Sequence, residues 1–268
     1  MKVIASRDNP TFKSLRVLIG DPRRQRSEGR TVIEGPHLVT AALDHGLVPD
    51  LIAVSEGAAA LPEIVALLSR AGRIETLCLR DALFKEISEL ATPVGILARI
   101  AIPAAPADMP AGDCLLLDAV QDAGNVGTLL RTAAAAEVRD VLLGPGCARA
   151  WMPRVLRAAQ GAHFALAIRE QADLPAFLKD YSGVSVATVA RDGLSLFECD
   201  FTPPTAWLFG NEGAGLSPDL VVVAKQRVTI PLAVGSESLN VAAAAAICLF
   251  EMRRQRLSDK VGAGRTAR

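Results

Sequence analysis

Apolar residues fall in short runs separated by Pro, Gly and polar clusters, and the runs switch between a strand-like and a helix-like period. Thr31–Glu34, Leu51–Val54, Ile74–Leu79 and Val94–Ile102 read as strands. Between them, Pro36–His45, Pro62–Ala71 and Asp81–Leu90 carry helical spacing, and Gly46 and Gly72 follow the first two as stops. This alternation predicts a small α/β domain. Ile102–Pro110 then holds three prolines in nine residues, a run that cannot continue a helix or a central strand. It predicts a linker. Beyond it the alternation resumes with stronger strands. Cys114–Asp118 is nearly continuous and apolar, as in a parallel sheet covered on both faces. A helix over about Val126–Ala136, strand Val141–Leu143, helix Pro153–Ala159 and strand Ala165–Ile168 follow. Helix Leu174–Tyr181, strands Val184–Val189 and Ala206–Phe209, helix Pro218–Ala224, strand Val228–Ile230 and a long helix Leu239–Arg253 complete the pattern. The expected organisation is an N-terminal domain over 1–102, a linker over 103–112, a second α/β domain over 113–258 and a polar, frayed tail over 259–268.

The composition narrows the class. Of 268 residues 50% are hydrophobic and 22% charged, which excludes a disordered chain. Lys+Arg and Asp+Glu are both 29, so a uniformly basic nucleic-acid coat is excluded as well. Local patches are not. Residues 1–30 hold eight Lys/Arg against three acids, whereas residues 31–60 hold four acids and no Lys or Arg. The first segment is either a footprint for an anionic polymer or a solvated helix face. Five cysteines, with no CxxC pair, read as reduced core thiols. His37, His45 and His163 lack metal-ligand spacing, so no metal site is expected. The chain opens without an apolar signal segment, and its longest apolar run, Val241–Phe250, is too short to span a bilayer. A cytoplasmic protein that does not enter the membrane is expected.

Chemistry concentrates in three loops of the second half, each between a strand and a helix: Asp118–Thr128 leading to Arg131, Phe209–Leu216, and Pro231–Asn240. Ligands of open α/β sheets gather outside the carboxyl ends of the strands. Glycines there let a backbone approach a ligand and read the edge of a heterocycle with peptide groups. Each loop alone also fits an ordinary turn with an Asn or Ser helix cap, a reading that holds for Ser238 and Asn240 in particular. Gly262–Ala267 matches G-x-G-x-x-A but follows no strand, so it is not a dinucleotide fingerprint. One Tyr and two Trp argue against an aromatic base-stacking platform.

In this order the three loops resemble the three motifs of the SpoU-type (TrmH-like) RNA ribose 2′-O-methyltransferases of the SPOUT superfamily. Asn125–Thr128 with Arg131–Ala133 matches the first, Phe209–Leu216 the second, and Ile230–Leu232 with Glu237–Val241 the third. Val155–Ala162 is similar to the family segment between the first two. Two departures stand out: Ala123 where the family often has Pro, and Val234-Gly235-Ser236 before Glu237, which moves the loop glycine by one position. The N-terminal half, with Ile4–Pro10 and Val32–Pro36, resembles the L30e/L7Ae-like RNA substrate-binding domain that these enzymes often carry.

The resemblance implies an α/β fold with a deep trefoil knot in the SPOUT domain, a homodimer packed through the knot region, and S-adenosyl-L-methionine as cofactor. It implies methylation of a ribose 2′-hydroxyl in structured RNA, ribosomal RNA before transfer RNA. Gly210, Asn211, Ile230 and Leu239 would then hold the cofactor, and Asn125, Arg131, Glu212, Ser238 and Asn240 would form the catalytic set. The rival readings are an RNA-binding or ribosome-associated protein without catalysis, which would be expected to lose Arg131, Glu212 or Asn240, and a small-molecule α/β transferase.

Overall fold

In the computed structural model, residues 3–265 are described, with side chains through residue 258. The elements run β1 (Val3–Ile4), α1 (Pro10–Gly20), α2 (Pro22–Glu28), β2 (Arg30–Glu34), α3 (Pro36–Asp44), β3 (Leu51–Ser55), α4 (Pro62–Ala71), β4 (Glu75–Leu79), α5 (Asp81–Ile87) and β5 (Ile96–Ala101). After the Pro/Ala stretch come β6 (Cys114–Leu117), α6 (Ala123–Ala135), β7 (Asp140–Leu143), α7 (Pro153–Ala159), β8 (Ala167–Glu170), α8 (Leu174–Asp180), β9 (Val184–Thr188), β10 (Leu194–Ser195), β11 (Thr205–Phe209), α9 (Pro218–Val223), β12 (Gln226–Thr229) and α10 (Val241–Arg265).

The chain divides into two compact units, Met1–Ala104 with Arg149–Phe164, and Ala105–Ala148 with Ala165–Arg268. The break after Ala104 falls inside the expected linker. The expected uninterrupted domain over 113–258 differs from this division, because residues 149–164 belong to the first unit. There, α7 lies beside β2, and the Thr31 hydroxyl donates to the Trp151 carbonyl at 2.6 Å. Val155, Leu156 and Ala159 are fully buried. The expected tail also differs, since α10 continues to Arg265; residues 266–268 and Lys2 of the basic cluster lie outside the described residues.

The first unit is a mixed five-stranded sheet in the order β1-β4-β3-β5-β2, antiparallel where β5 meets β3 and β2. Two helices that the strand-by-strand pattern did not predict, α1 and α2, occupy the basic N-terminal segment. Each opens on a proline behind a side-chain cap: Asn9 accepts from the Thr11 and Phe12 N–H groups, and Asp21 from those of Arg23 and Arg24. Phe12, Leu15 and Leu18 of α1 pack with Phe84 of α5 and with β3. Arg23, Arg24 and Arg26 are exposed on α2, while Gln25 between them is buried and donates to the Leu18 carbonyl.

His163 is buried in this unit. Its Nε2–H donates to the Ala150 carbonyl at 2.7 Å and its ring meets Trp151 at 5.1 Å. Nδ1 is buried without a hydrogen-bond partner among the described residues. Burial pushes the imidazole down to about 4, and the Ala150 carbonyl only partly opposes this. The folded state therefore holds a neutral ring, while the unfolded chain takes up a proton below the ordinary histidine value. Stability contributed by the neutral ring is complete above pH ~6.5 and is lost as the pH falls towards 4, on the order of 3 kcal/mol. Thermal unfolding from pH 7 to 4 should show this loss, and His163→Gln should flatten it. An unchanged slope in the variant would contradict the assignment.

The second unit is a seven-stranded sheet, order β10-β12-β9-β11-β6-β7-β8, with every strand pair parallel. Its central strands β6 and β11 are buried along their whole length. The chain steps outward from β6 through β7 to β8, then returns on the far side to form β9 and β10. β11 enters between β6 and β9, and β12 between β9 and β10. The switch in direction lies at β6 and β11, where open sheets hold their ligands. No helix among the described residues is long and apolar enough to cross a membrane, and no group of three metal-ligating side chains occurs among them.

Candidate active site

Three loops leave the carboxyl ends of β6, β11 and β12. Each is shaped locally before it meets the others. After β6, Asp122 caps α6 by accepting from the Asn125 N–H at 2.7 Å, which sets Asn125 in the first helical turn. After β11, the backbone closes on itself: Asn211 and Gly215 exchange two N–H···O bonds of 2.9 Å, and the Asn211 amide oxygen accepts from the Gly213 and Ala214 N–H groups. A Cβ on Gly210 would sit 2.2 Å from the Gly215 carbonyl carbon, so only glycine allows this closure. After β12, an extended stretch leads to Asn240, whose Oδ1 accepts from the Ala242 and Ala243 N–H groups and starts α10.

The loops meet through side chains. The Asn125 amide donates to Glu212 at 2.9 Å, and the Asn240 amide donates to the Asn125 oxygen at 2.9 Å. The same Glu212 carboxylate accepts from the backbone N–H groups of Gln121 and Asp122 at 3.3 and 3.2 Å. Burial pushes the Glu212 carboxyl up, but the Asn125 amide and the peptide N–H donors outweigh it and hold the group below its usual range. Glu212 is thus an acceptor that stays ionised and orders Asn125, and Asn125 orders Asn240. The capping reading of Asn240 is correct and incomplete: its oxygen caps α10 while its amide joins the network.

Beside this network lies a cavity of about 470 Å³. Seven of the nine expected site residues line it: Gly210, Asn211, Glu212, Ile230, Ser238, Leu239 and Asn240. Asn125 does not line it but is bonded to two residues that do. Arg131 is exposed on α6, six residues and about 9 Å of helix beyond Asn125. It lines no part of the cavity and forms no ion pair among the described residues. A fourth strand end was missed as a wall: Thr188 at the end of β9 and Val189 just after it line the cavity. Its only signal was position, the last residues of a buried parallel strand next to β11 and β12.

Comparison with known proteins bears on this arrangement. Residues 114–250 match the profile of the SpoU rRNA methylase family, and residues 9–98 that of an MRM3-like substrate binding domain. The chain belongs to the SpoU rRNA methylase family. It is 35% identical over 258 residues to the 23S rRNA (guanosine(2553)-2′-O)-methyltransferase RlmP of Bacillus subtilis, covering 94% of this chain and 100% of that one. Among solved structures, the SpoU methyltransferase AviRb of Streptomyces viridochromogenes in complex with AdoMet superposes with a TM-score of 0.84 at 27% identity, over 93% of this chain and 99% of that one. An RNA 2′-O ribose methyltransferase gives 0.82 at 29% identity, over 96% and 100%. The SpoU profile spans all three loops of the site, so family and geometry fall on the same residues.

Proposed function

We propose that this SpoU-family chain transfers the methyl group of S-adenosylmethionine to a ribose 2′-hydroxyl of ribosomal RNA. The observation that carries the proposal is the Asn240–Asn125–Glu212 chain of hydrogen bonds, which ties the first motif to the two motifs that line one cavity. The cavity suits this donor. Val189, Leu232 and Val241 give it apolar walls, Gly210 and Asn211 bring peptide edges to it, and Glu212 is the one charged side chain among its lining residues. A carboxylate held ionised favours a cationic ligand. When bound, S-adenosylmethionine supplies an electrophilic methyl group on a sulfonium.

The chain's own residues have the remaining tasks. Gly210, Asn211, Ile230 and Leu239 hold the cofactor. Asn125, Glu212, Ser238 and Asn240 align the ribose with it. The Arg131 guanidinium anchors the target phosphate and stabilises the negative charge that develops on the 2′-oxygen. The 2′-hydroxyl is also what separates RNA from DNA as a substrate.

The proposal extends to assembly. A homodimer is supported by α10, whose Ile247 and Phe250 are exposed on the helix that packs against α6. A deep trefoil knot in the second unit is supported by the late insertion of β11 and β12 between earlier strands. The first unit serves as an L30e/L7Ae-like RNA-binding domain, and the enzyme works in the cytoplasm.

Incubating the full chain with methyl-labelled cofactor and either ribosomal or transfer RNA tests the core claim. Label should enter ribosomal RNA as alkali-resistant dinucleotides. Binding of RNA without any transfer would favour the non-catalytic alternative. A further expectation concerns α2. Neutralising Arg23, Arg24 and Arg26 together should lower the slope of log affinity against log salt by about 2. An unchanged slope would remove α2 from the RNA-binding face.

A further inference from the structure

We propose that Asp118 is a positioning residue for the methyl-donor cavity, which it shapes by holding loop 210–217 at both ends together with its neighbour Ala119. This rests on the cofactor reading above and extends it to residues outside the expected catalytic and cofactor sets.

Asp118 directly follows β6. Its N–H donates to the Phe209 carbonyl at 2.9 Å, carrying the β6–β11 ladder one step past the strands. Its carboxylate accepts from the Ser217 N–H at 2.7 Å, at the far end of the loop. The next residue, Ala119, has φ of 52°, a left-handed conformation that alanine rarely adopts. That turn presents the Ala119 carbonyl to the Asn211 side-chain amide at 2.9 Å, at the near end of the loop. The loop's own bonds between Asn211 and Gly215 set its shape and leave its position open. The bonds from Asp118 and Ala119 supply position. Glu212 adds a third tie to the same β6–α6 turn through the Gln121 and Asp122 N–H groups. Leu216 packs on the core of the second unit, but the cavity-facing stretch Gly213–Gly215 carries no side chain larger than a methyl, so the charge-assisted bond from Asp118 beside it fixes where that stretch lies. The strained turn at Ala119 is kept where a surrounding structure determines it, as at other functional positions.

The test uses titration calorimetry of the full chain with S-adenosylmethionine, filter binding of ribosomal RNA, and thermal melting. Asp118→Ala should weaken S-adenosylmethionine binding about tenfold, the scale of one hydrogen bond to a charged group. Its RNA affinity should stay within about twofold of wild type, since no RNA-binding group is removed. Asp118→Asn keeps an acceptor oxygen at the same place and should recover most of the lost affinity. Should Asp118→Ala fail to fold, Ser217→Pro deletes the donor of the same bond at a residue whose φ of −60° suits a proline ring, with the same expectation. Wild-type cofactor affinity in the variant lacking this bond would overturn the inference. So would equal loss of RNA and cofactor binding, or an Asn variant as weak as the Ala one. If the wild-type chain itself fails to bind S-adenosylmethionine, the underlying reading falls and takes this one with it.

Discussion

Arg131→Ala is expected to slow methyl transfer by roughly 10²–10³ while leaving S-adenosylmethionine affinity unchanged. The division follows from where the residue stands. Arg131 is exposed, lines no part of the cavity and is bound to no carboxylate among the described residues. Removing it therefore disturbs neither the cavity nor a structural ion pair. Its charge is available to an anionic partner, and a phosphate or a developing alkoxide on the ribose is such a partner. Arg131→Lys keeps the charge and loses the planar two-point fork, so an intermediate rate is expected. Single-turnover label transfer measures the rate, and calorimetry measures cofactor affinity. An alanine variant with near wild-type turnover would remove Arg131 from the catalytic set.

Gly210→Ala should weaken cofactor binding by about 100-fold, at the upper end of overpacking costs of ~1–3 kcal/mol. The added methyl would meet the Gly215 carbonyl carbon and the Leu216 nitrogen at 2.2 Å. Both are backbone atoms and cannot swing aside as a side chain would. The loop must open, which breaks the paired 2.9 Å bonds between Asn211 and Gly215 and moves Glu212 away from Asn125. Gly213→Ala, three residues on in the same loop, is the control. Its new Cβ would make only a 3.6 Å contact with the Asn211 oxygen, so near wild-type affinity is expected. Calorimetry on both variants decides the point; equal behaviour would show that loop closure does not govern binding.

Much of the second unit was legible because its signals are local. Cys114–Asp118 reads as a buried parallel strand from its four leading apolar residues, and the strand found there, Cys114–Leu117, is buried throughout. Asn240 could be read as a helix cap, and it is one. In the first unit, α1 and α2 were also legible in principle. Asn9-Pro10 and Asp21-Pro22 are cap-and-proline starts, and Phe12, Leu15 and Ile19 follow at helical spacing. The dense arginines of α2 interrupt the apolar periodicity that marks a helix.

Other features were not legible because they depend on partners far apart in the chain. Nothing around Val155 and Leu156 says that their apolar face is covered by the first unit. Nor does the Pro/Ala stretch announce that the chain leaves the second unit again after Ala148. The Asn125–Glu212 and Asn240–Asn125 bonds span 87 and 115 residues. Only the resemblance suggested that those residues act together.

The return of residues 149–164 to the first unit bears on how such an enzyme can be rebuilt. A front half exchanged by a single cut after Ala104 would arrive without α7, and the recipient would keep a helix whose apolar face had lost its cover. The first unit is thus written in two separate stretches, with β6 and β7 of the second unit between them. Replacing it requires two coordinated grafts, and a chimera joined at one seam begins with an unfilled groove on one side and an orphaned helix on the other.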